Sequence, residues 1–531
     1  MATHLSLLLS LIVLIQFGNS DAHKILTYAQ QFGQSHVFFI GGISDVLVEA
    51  GHDVTYLQAE LVPHVQNKGT MLAKVLVRQR DFTVNMSNIL HQNDIWNSAF
   101  TLTDTIKQFQ LWSDLLTSSC YHMLRDDKLM EQLKAEKFDL FIGEHFDACS
   151  FALVKRLGIK KYISAFAVPI YSSALTALGH TTTSAFIPVA DAKHGGEMSY
   201  IQRAANFARS FVGNLLVRHL FANKMAATVN AALDLSPDYN IYYDFAPGSS
   251  YYFVNSNEHL DFVQPLSPKV INIGGLRMQK PKPLNEDFAE IYNSSARGVV
   301  LVSFGTVAKA SHMNNETKNE FVKFFSNFPD ITFIFKYETP DDGTLPQMEN
   351  VKLRDWIPQS DLLANERTIA FVSHSGFNSL GEAAQRGTPV ILIPLFADQQ
   401  RNSQMARDRG IARVIQRDEL SAQRLTDELR LLIAPDSTYQ KKSRELGAMI
   451  TNQPFSAKDR VVRYVEHAIR FDVSTNLDLR SRHLSTIEFY CLDVLLPALL
   501  ILFAMMWISW RALVVTFRLI SRTSVEKKKV A

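Results

Sequence analysis

The chain has 531 residues, which is too long for one ordinary domain and sufficient for two large domains with additional segments. Its composition is that of an ordinary globular protein, and its formal net charge of +2 implies no broad basic face. Charge therefore gives no support to a nucleic-acid partner.

The first segment is a short apolar run, LSLLLSLIVLIQF, from Leu5 to Phe17. Small residues follow it, and the run is too short to cross a bilayer comfortably. The pattern predicts a secretory signal over residues 1–20, cleaved near Ser20 or Ala22. The alternative is an uncleaved membrane anchor.

Short apolar strands and helices then alternate. Strands are predicted at KILTY, which begins at Lys24, and at DVTYL, which begins at Asp53, with a helix between them. This βαβ unit is the start of a parallel sheet. FDLFIGE adds a strand that ends at Glu144, and a long amphipathic helical stretch is predicted over about 195–235. These elements predict a first domain over residues 21–280.

Two of the three cysteines, Cys120 and Cys149, lie in this first domain. They are available to form one disulfide, and the sequence leaves open whether they do. The chain contains no CxxC pair, and no metal site is predicted.

A Pro- and charge-rich stretch, PKPLNED from Pro281 to Asp287, is typical of a linker. The alternation restarts after it with GVVLVSFGT, ITFIFKY, IAFVSHS and PVILIPL. Near-continuous apolar strands separated by helices indicate a parallel sheet that is covered on both faces. A second α/β domain is therefore predicted over residues 281–475, with a cleft between the two domains.

The C-terminal segment indicates a membrane span and the orientation of the chain across the membrane. FYCLDVLLPALLILFAMMWISW, residues 489–510, is long enough to be a transmembrane helix. The basic tail, residues 511–531, places that end in the cytosol and the bulk of the chain in a lumen. The final residues, KKKVA, resemble the dilysine retrieval signal of endoplasmic-reticulum membrane proteins, although they also suit a stop-transfer flank. The glycosylation sequons agree with lumenal exposure, and they lie at Asn85, Asn293 and Asn315.

The stretch FVSHSGFNSLGE predicts a strand, a turn of small residues and a helix. Such a turn presents backbone N–H groups at a helix N-terminus, which is an anion site. Gly376 permits close approach of a phosphate, and donors are available from His374, Asn378 and Ser379. Glu382 lies one turn further on and suits a ribose diol. The alternative is that Ser379-x-x-Glu382 is only a capping box.

The surrounding residues favour the binding interpretation. Trp356 and Gln359 lie in a polar loop before the strand, where a Trp can stack on a flat base. Asp398 and Gln399 follow the next strand, at the carboxyl edge where ligands bind in open α/β sheets. The same edge holds Ser303, Gly305 and Thr306, which lie within reach of a phosphate.

Taken together, these residues closely resemble the signature of the UDP-glycosyltransferases, and most closely that of the membrane-bound UDP-glucuronosyltransferase branch. The resemblance is carried by Trp356, Gln359, His374, Gly376, Asn378, Ser379, Glu382, Asp398 and Gln399. It implies an α/β, GT-B fold of two Rossmann-like domains facing a cleft, plus the C-terminal transmembrane helix. The first domain would bind the acceptor and the second the UDP-sugar.

Carried over residue by residue, the resemblance divides the donor site into parts. Trp356 would stack on uracil, Gln359 would bond the uridine and Glu382 the ribose. The diphosphate would be held by His374, Gly376, Asn378 and Ser379, with Ser303 and Thr306 nearby. The sugar hydroxyls would be held by Asp398 and Gln399. Ser375 stands where the animal enzymes often have Gly.

His36, at the start of the first predicted helix, matches the family's catalytic base. The positive end of the helix dipole favours a neutral imidazole, which is what a general base needs. The alternative is a His that only caps the helix. Glu144 stands where the family usually has Asp, and it is the expected partner of His36. Asp147 is the fallback.

The sequence thus predicts a lumenal, single-span type I enzyme of the endoplasmic-reticulum membrane. It would transfer a hexosyl group, glucuronosyl in the first place, from a UDP-sugar to a hydroxyl of a small lipophilic acceptor with inversion. The UDP-sugar is a co-substrate, and no metal or other cofactor is expected. The alternatives are a UDP-glucose-dependent enzyme and a catalytically silent UDP-sugar-binding membrane protein. The acceptor and the oligomeric state stay open.

Overall fold

The computed structural model describes residues 22–62, 67–83, 94–97, 102–181, 183–278 and 280–530. The predicted signal segment and the sequon at Asn85 lie outside these residues.

The first part of the chain forms a seven-stranded sheet in which every pairing is parallel. The strand order is β3-β2-β1-β4-β5-β6-β7. The strands are β1 Lys24–Gln31, β2 Asp53–Glu60, β3 Lys74–Arg78, β4 Leu140–Glu144, β5 Tyr162–Phe166, β6 Tyr252–Val254 and β7 Val270–Asn272. β1, β4 and β5 are buried almost throughout, as their apolar runs predict for strands covered on both faces.

Helices connect and cover these strands. They are α1 Gln34–Glu49, α2 Asp94–Asn97, α3 Leu102–Leu124, α4 Asp127–Glu136, α5 Ala148–Leu157, α6 Ser172–Ala177, α7 Tyr200–Leu216 and α8 Asn223–Leu233. A π-helical turn, Val217–Ala222, joins α7 to α8, and a second one, Ile241–Phe245, leads into the 3-10 turn Ala246–Gly248. A disulfide links Cys120 on α3 to Cys149 on α5, with their Cα atoms 5.4 Å apart.

The second part forms a six-stranded parallel sheet of order β10-β9-β8-β11-β12-β13. Its strands are β8 Gly298–Ser303, β9 Ile331–Lys336, β10 Val351–Arg354, β11 Thr368–Ser373, β12 Val390–Leu392 and β13 Ala412–Val414. Its helices are α9 Glu286–Ser294, α10 Asn315–Ser326, α11 Gln359–Leu363, α12 Phe377–Arg386, α13 Gln399–Asp408, α14 Ala422–Ile433, α15 Thr438–Thr451 and α16 Ala457–Arg470. Short 3-10 turns occur at Ala310–His312 and Arg417–Glu419.

The last of these helices returns to the first sheet. Val461, Val465 and Ala468 of α16 are buried in the same apolar cluster as Ile25 and Leu26 of β1. The repeat of four and three residues places these side chains on one face of the helix. The sequence prediction ran the second domain to residue 475, but α16 completes the core of the first. The predicted domain boundaries stay predictions.

Both sheets have the topology that creates a crevice at one edge. The order of the first sheet reverses between β1 and β4, and that of the second between β8 and β11. In open α/β sheets, ligands bind beyond the carboxyl ends of the strands at such switch points. His36, Glu144, Ser303 and His374 all lie in or just after these four strands.

The C-terminal segment is a separate compact unit of Leu178–His180 and Leu479–Ala531. It contains a 3-10 turn, Arg480–His483, and two helices, α17 Thr486–Phe489 and α18 Leu492–Val530. Residues Leu492–Leu519 of α18 are long and apolar enough to cross a membrane. The span ends later than the predicted 489–510 because apolar residues resume after Arg511. This helix fits a membrane anchor.

Candidate active site

The first domain contributes a His–carboxylate pair. His36 lies in the first turn of α1, and its Nδ1 contacts Oε1 of Glu144 at the end of β4. The Glu144 side chain is 4% exposed and that of His36 is 17% exposed. Because the carboxylate accepts from Nδ1–H, the lone pair of the imidazole lies on Nε2. This is the arrangement that a general base requires.

Asp147, the other candidate partner of His36, has a different task. Its carboxylate caps α5 by accepting from the backbone N–H of Cys149, and it also accepts from Tyr28 Oη at 3.0 Å and Gln30 Nε2 at 2.7 Å. Burial raises the pKa of Asp147 to about 7. The geometry favours Glu144, since Asp147 is occupied by these structural bonds.

His145, between the two acids, is part of the core. Its ring stacks on Phe166 with centroids 4.7 Å apart. Burial lowers its pKa to about 3, so the imidazole is neutral at physiological pH. His145 is therefore a packed side chain of the core.

One aromatic side chain packs on His36 and three more extend the cluster from it, and sequence reasoning missed them. The ring of Phe32 lies 4.3 Å from that of His36, 6.1 Å from Trp112 and 5.6 Å from Phe146. Phe146 in turn packs on Phe221 at 4.9 Å. We call Phe32, Trp112, Phe146 and Phe221 the aromatic wall. The sequence feature that could have indicated them is that Phe32 and Phe146 lie close in the chain to the candidate catalytic residues His36 and Glu144.

The second domain contributes two tight turns. The first follows β8, where Ser303 is buried, Gly305 has φ +79° and Thr306 is exposed. The second follows β11 and contains His374 and Gly376. A Cβ atom added to Gly305 would lie 2.8 Å from the His374 ring, and one added to Gly376 would lie 2.5 Å from it. Both glycines are therefore needed to accommodate this imidazole.

The turn before α12 holds buried donors under strain. Ser375 has φ +67°, a backbone conformation that favours Gly. This explains why Gly suits this position in the animal enzymes that the chain resembles. His374 Nδ1 and Ser375 Oγ are buried without a hydrogen-bond partner among the described residues. Burial, with a smaller effect of Lys336, lowers the pKa of His374 to about 4. Unpaired buried polar atoms in a strained turn are expected where a ligand binds.

The residues predicted for the uridine are arranged around α12. Trp356 is 65% exposed, as a stacking platform requires. Gln359 Nε2 donates to Glu382 Oε2 at 2.6 Å and to Ser379 Oγ at 3.1 Å. Burial raises the pKa of Glu382, and the bond from Gln359 opposes that rise. The side chains of Gln359, Ser379 and Glu382 are thus held together by their own hydrogen bonds.

Lys336 is a further residue that the sequence analysis missed. It ends β9, and its Nζ donates to the carbonyl oxygen of Gly305 at 2.9 Å and pairs with Glu338 at 2.7 Å. The same Nζ lies 6.0 Å from the ring centroid of Trp356. A lysine at the carboxyl end of an apolar strand was the available signal. Its position puts positive charge between the stacking platform and the turn after β8.

Asp398 and Gln399 begin α13 in different environments. Asp398 accepts from Asn402 Nδ2 at 2.7 Å; burial raises the pKa of Asp398, and the bond from Asn402 opposes that rise. The side-chain oxygen of Gln399 accepts from the backbone N–H groups of Leu395 and Phe396 at 2.8 and 3.1 Å. Gln399 is therefore buried and held by its own loop.

Asn378 joins the two domains at the same place. Its Oδ1 accepts from Nδ2 of Asn255 at 2.9 Å, and Asn255 directly follows β6 of the first sheet. Asn255 Nδ2 also donates to the carbonyl oxygen of Ala167 at 2.9 Å. This bond fixes the N-terminus of α12 against the first domain.

The chain is similar to known proteins over nearly its whole length. A family model described as UDPGT, UDP-glucoronosyl and UDP-glucosyl transferase, matches residues 23–529. The chain belongs to this family. Members transfer a sugar from a UDP-sugar to an acceptor, and the chain is a glycosyltransferase. The resemblance seen in the sequence is thus confirmed.

Relatives of this UDPGT chain match it over nearly their whole length. A "Putative UDP-glucuronosyltransferase ugt-47" of Caenorhabditis briggsae is 28% identical over 94% of this chain and 93% of the relative. "UDP-glucuronosyltransferase 3A1" of Bos taurus is 29% identical over 93% of each. Among solved structures, Phytolacca americana UGT2 complexed with UDP-2fluoro-glucose and pterostilbene matches with a TM-score of 0.56 at 18% identity, over 85% of this chain and 100% of that one. The GT-B fold with two Rossmann-type sheets is confirmed.

Proposed function

We propose that this UDPGT member transfers a glucuronosyl group from UDP-glucuronic acid to a hydroxyl of a small lipophilic acceptor, with inversion at the anomeric carbon. The observation that carries the proposal is the His36–Glu144 pair on the first domain together with the buried unpaired donors before α12, whose N-terminus the Asn255–Asn378 bond holds against that domain. A base on one domain and a sugar-binding carboxylate on the other suit a transfer between two substrates. The names of the two relatives support glucuronosyl as the group transferred.

In the proposed reaction, Nε2 of His36 takes the proton from the acceptor hydroxyl. The hydroxyl oxygen forms a bond to the anomeric carbon as the bond from that carbon to the diphosphate oxygen breaks. UDP leaves with the electron pair of the broken bond. The Glu144 carboxylate stabilises the imidazolium that forms, because the pair is almost withdrawn from water.

The donor residues keep the parts assigned from the sequence. Uracil stacks on Trp356, and the ribose binds the Glu382–Gln359 pair. The diphosphate lies at the N-terminus of α12, where the dipole and several N–H groups stabilise the leaving charge. The further diphosphate donors are His374, Gly376, Asn378, Ser379, Ser303 and Thr306. The sugar hydroxyls bind Asp398, with Gln399 holding the loop and contributing through its amide.

Lys336 supports this proposed diphosphate site. Its Nζ pairs with Glu338 and donates to the Gly305 carbonyl oxygen, so it holds the turn after β8 in place beside the phosphate groups. On the acceptor side, the aromatic wall supplies flat apolar surface beside His36. That surface suits phenolic and steroidal hydroxyl compounds, and Phe221 belongs to the helical stretch predicted over about 195–235.

We also propose the endoplasmic-reticulum membrane as the location, with a single span, the type I orientation and both catalytic domains in the lumen. The apolar α18 helix and the basic residues that follow its apolar stretch support this. Asn293 and Asn315 are exposed, as glycan acceptors must be. Detoxification of lipophilic compounds is the physiological role that such a reaction suits. No metal or cofactor besides the co-substrate is proposed.

The test uses the purified full chain in membranes with UDP-glucuronic acid or UDP-glucose and a panel of phenols and steroids. UDP release and mass analysis of the product are measured, and His36→Ala gives the background of UDP-sugar hydrolysis. We expect glucuronide formation. Transfer from UDP-glucose alone would instead establish the glucosyltransferase alternative. Binding of UDP-sugars without turnover of any acceptor would establish the catalytically silent one.

A further inference from the structure

A short helix of the first domain is buried in the core of the second. Helix α2, Asp94–Asn97, lies in the chain between β3 and α3, which both belong to the first domain. Ile95 and Trp96 are nevertheless 0% and 5% exposed, and they belong to the apolar cluster that contains Val300 and Val302 of β8. This burial stabilises the contact, because the two side chains remove a large apolar area from water.

Two hydrogen bonds attach α2 to the second domain. The Trp96 Nε1–H donates to the carbonyl oxygen of Lys309 at 2.9 Å, and Arg417 Nη1 donates to the carbonyl oxygen of Ile95 at 2.8 Å. Lys309 follows β8 and Arg417 follows β13, so the two bonds reach different parts of the second sheet. Because Trp96 is buried, displacement from Lys309 would leave its indole N–H without a partner.

Trp96 contacts the loop after β8, residues 303–309, which we call the β8 loop. This loop leaves the core at Phe304 and returns to it at Ala308, which are both 1% exposed. The Trp96 and Phe304 rings lie 4.9 Å apart in an edge-to-face arrangement, and the Trp96 N–H binds Lys309 at the other end of the loop. One side chain of the first domain thus holds both ends of the β8 loop.

The middle of the β8 loop is the part assigned to the diphosphate. Gly305 and Thr306 lie between the two buried ends, and Thr306 is exposed. Gly305 packs so closely on His374 that a Cβ atom added to it would lie 2.8 Å from the imidazole. A shift of the loop would therefore also disturb the His374 turn. A loop that is already held loses less conformational entropy when a ligand orders it, which strengthens binding.

We propose that Trp96 is a positioning residue for the donor. By docking on the β8 loop, it holds Gly305 and Thr306 in the conformation that receives the diphosphate. Trp96 is almost fully buried, so it acts through the loop. The proposal rests on the proposed function, which assigns the diphosphate to this loop. It gives the acceptor-binding domain a share in the binding of the donor.

A role in core packing alone would give a different result, and a matched control separates the two. If Trp96 only filled the core, other aromatic residues of the same cluster would have the same effect on ligand binding when truncated. Phe328 belongs to that cluster and is 4% exposed. Its ring packs on Phe324 of α10 and Phe333 of β9. Phe328→Ala is therefore the control for a loss of stability.

The experiment measures the Kd for UDP by calorimetry in the purified full-length chain, below the melting transition of every variant. We expect Trp96→Ala to raise this Kd several-fold. Trp96→Phe keeps a ring against Phe304 but loses the N–H, so it should raise the Kd less. Phe328→Ala should lower the melting temperature and leave the Kd unchanged. An unchanged Kd in Trp96→Ala would overturn the proposal, and so would an equal rise in Trp96→Ala and Phe328→Ala.

A variant on the other partner guards against misfolding of Trp96→Ala. Arg417→Met keeps the length of the side chain and removes the bond to the Ile95 carbonyl, so it should raise the Kd for UDP in the same direction as Trp96→Phe. If neither of these two variants raised the Kd, the proposal would be refuted.

Two further readouts distinguish positioning from general destabilisation. Amide hydrogen exchange in the β8 loop of the ligand-free chain should be several-fold faster in Trp96→Phe and Trp96→Ala, but not in Phe328→Ala. In turnover, the KM for UDP-glucuronic acid should rise while the KM for a phenol stays at the wild-type value. Unchanged exchange, or a rise in the phenol KM alone, would contradict the proposed role of Trp96.

Failure of the proposed function would give another pattern. A wild-type chain that binds UDP but forms no glucuronide would contradict the proposed function, while the Kd and exchange comparisons would still decide the role of Trp96. A wild-type chain that glucuronidates phenols, with Trp96 variants that keep the wild-type Kd and exchange rate, would refute the role of Trp96 alone.

Discussion

The role of Glu144 gives the sharpest mutational prediction. Glu144→Gln keeps the size of the side chain and an oxygen that accepts from His36 Nδ1–H, but it removes the negative charge. The binding of UDP-glucuronic acid should not change, because Glu144 belongs to the first domain and the donor residues to the second. The variant should lose turnover, because a neutral amide stabilises an imidazolium much less than a carboxylate does.

The size of the effect follows from the burial of the pair. A hydrogen bond to a charged group contributes about 1.5–3 kcal/mol. The Glu144 side chain is only 4% exposed, so solvent screening reduces this little. The amide keeps the neutral part of the bond, about half of this energy, so about 0.75–1.5 kcal/mol is lost. Since each 1.36 kcal/mol changes a rate tenfold, kcat should fall by roughly 4- to 13-fold.

The assay compares kcat for a phenolic acceptor and the Kd for UDP-glucuronic acid in wild type, Glu144→Gln and Glu144→Asp. The aspartate variant keeps the charge and restores the residue type usual in the family, so it should retain more activity than the amide. Asp147→Asn should change thermal stability more than the kcat of the folded enzyme. The reasoning is refuted if Glu144→Gln turns over at the wild-type rate.

Three further predictions address the donor site and the core. Trp356→Ala should weaken UDP binding by about 1–3 kcal/mol, measured by calorimetry, and Trp356→Phe should lose less; an unchanged Kd would contradict stacking. Cys120→Ser should lower the free energy of unfolding by about 3.5 kcal/mol in the chain-entropy model, since the bridge joins residues 29 apart; an unchanged melting temperature would exclude this contribution. His145, neutral when folded, should make stability fall as pH drops from about 6.5 towards its folded pKa of about 3, because the unfolded chain binds the proton first. His145→Phe should flatten that slope in thermal melts.

Much of the fold is encoded locally and was predictable for that reason. Near-continuous apolar strands such as GVVLVS and the helices between them indicated two parallel sheets. The turn at Gly376 could be located because strand, small residues and helix follow one another directly in the chain. Local patterns say little about which distant segments meet. Nothing in the sequence around Val461 indicates that α16 would pack in the core of the first sheet.

The candidate active site was likewise only partly predictable, because local sequence patterns do not show which distant residues meet. Glu144 and Asp147 are three residues apart, and only the turn after β4 decides that the first contacts His36 while the second caps α5. Asn255 and Lys336 contribute through contacts with residues 123 and 31 positions away in the sequence. Their chemistry is ordinary, so only the tertiary structure identifies them.

The central claim is that His36 removes the acceptor proton while the second domain holds the UDP-sugar. The most direct measurement is the turnover of His36→Ala together with its Kd for UDP-glucuronic acid, with His219→Ala, an exposed histidine, as control. We predict that turnover falls by about 10²- to 10⁴-fold while the Kd stays at the wild-type value. A His36→Ala chain that still glucuronidates phenols at the wild-type rate would contradict the account.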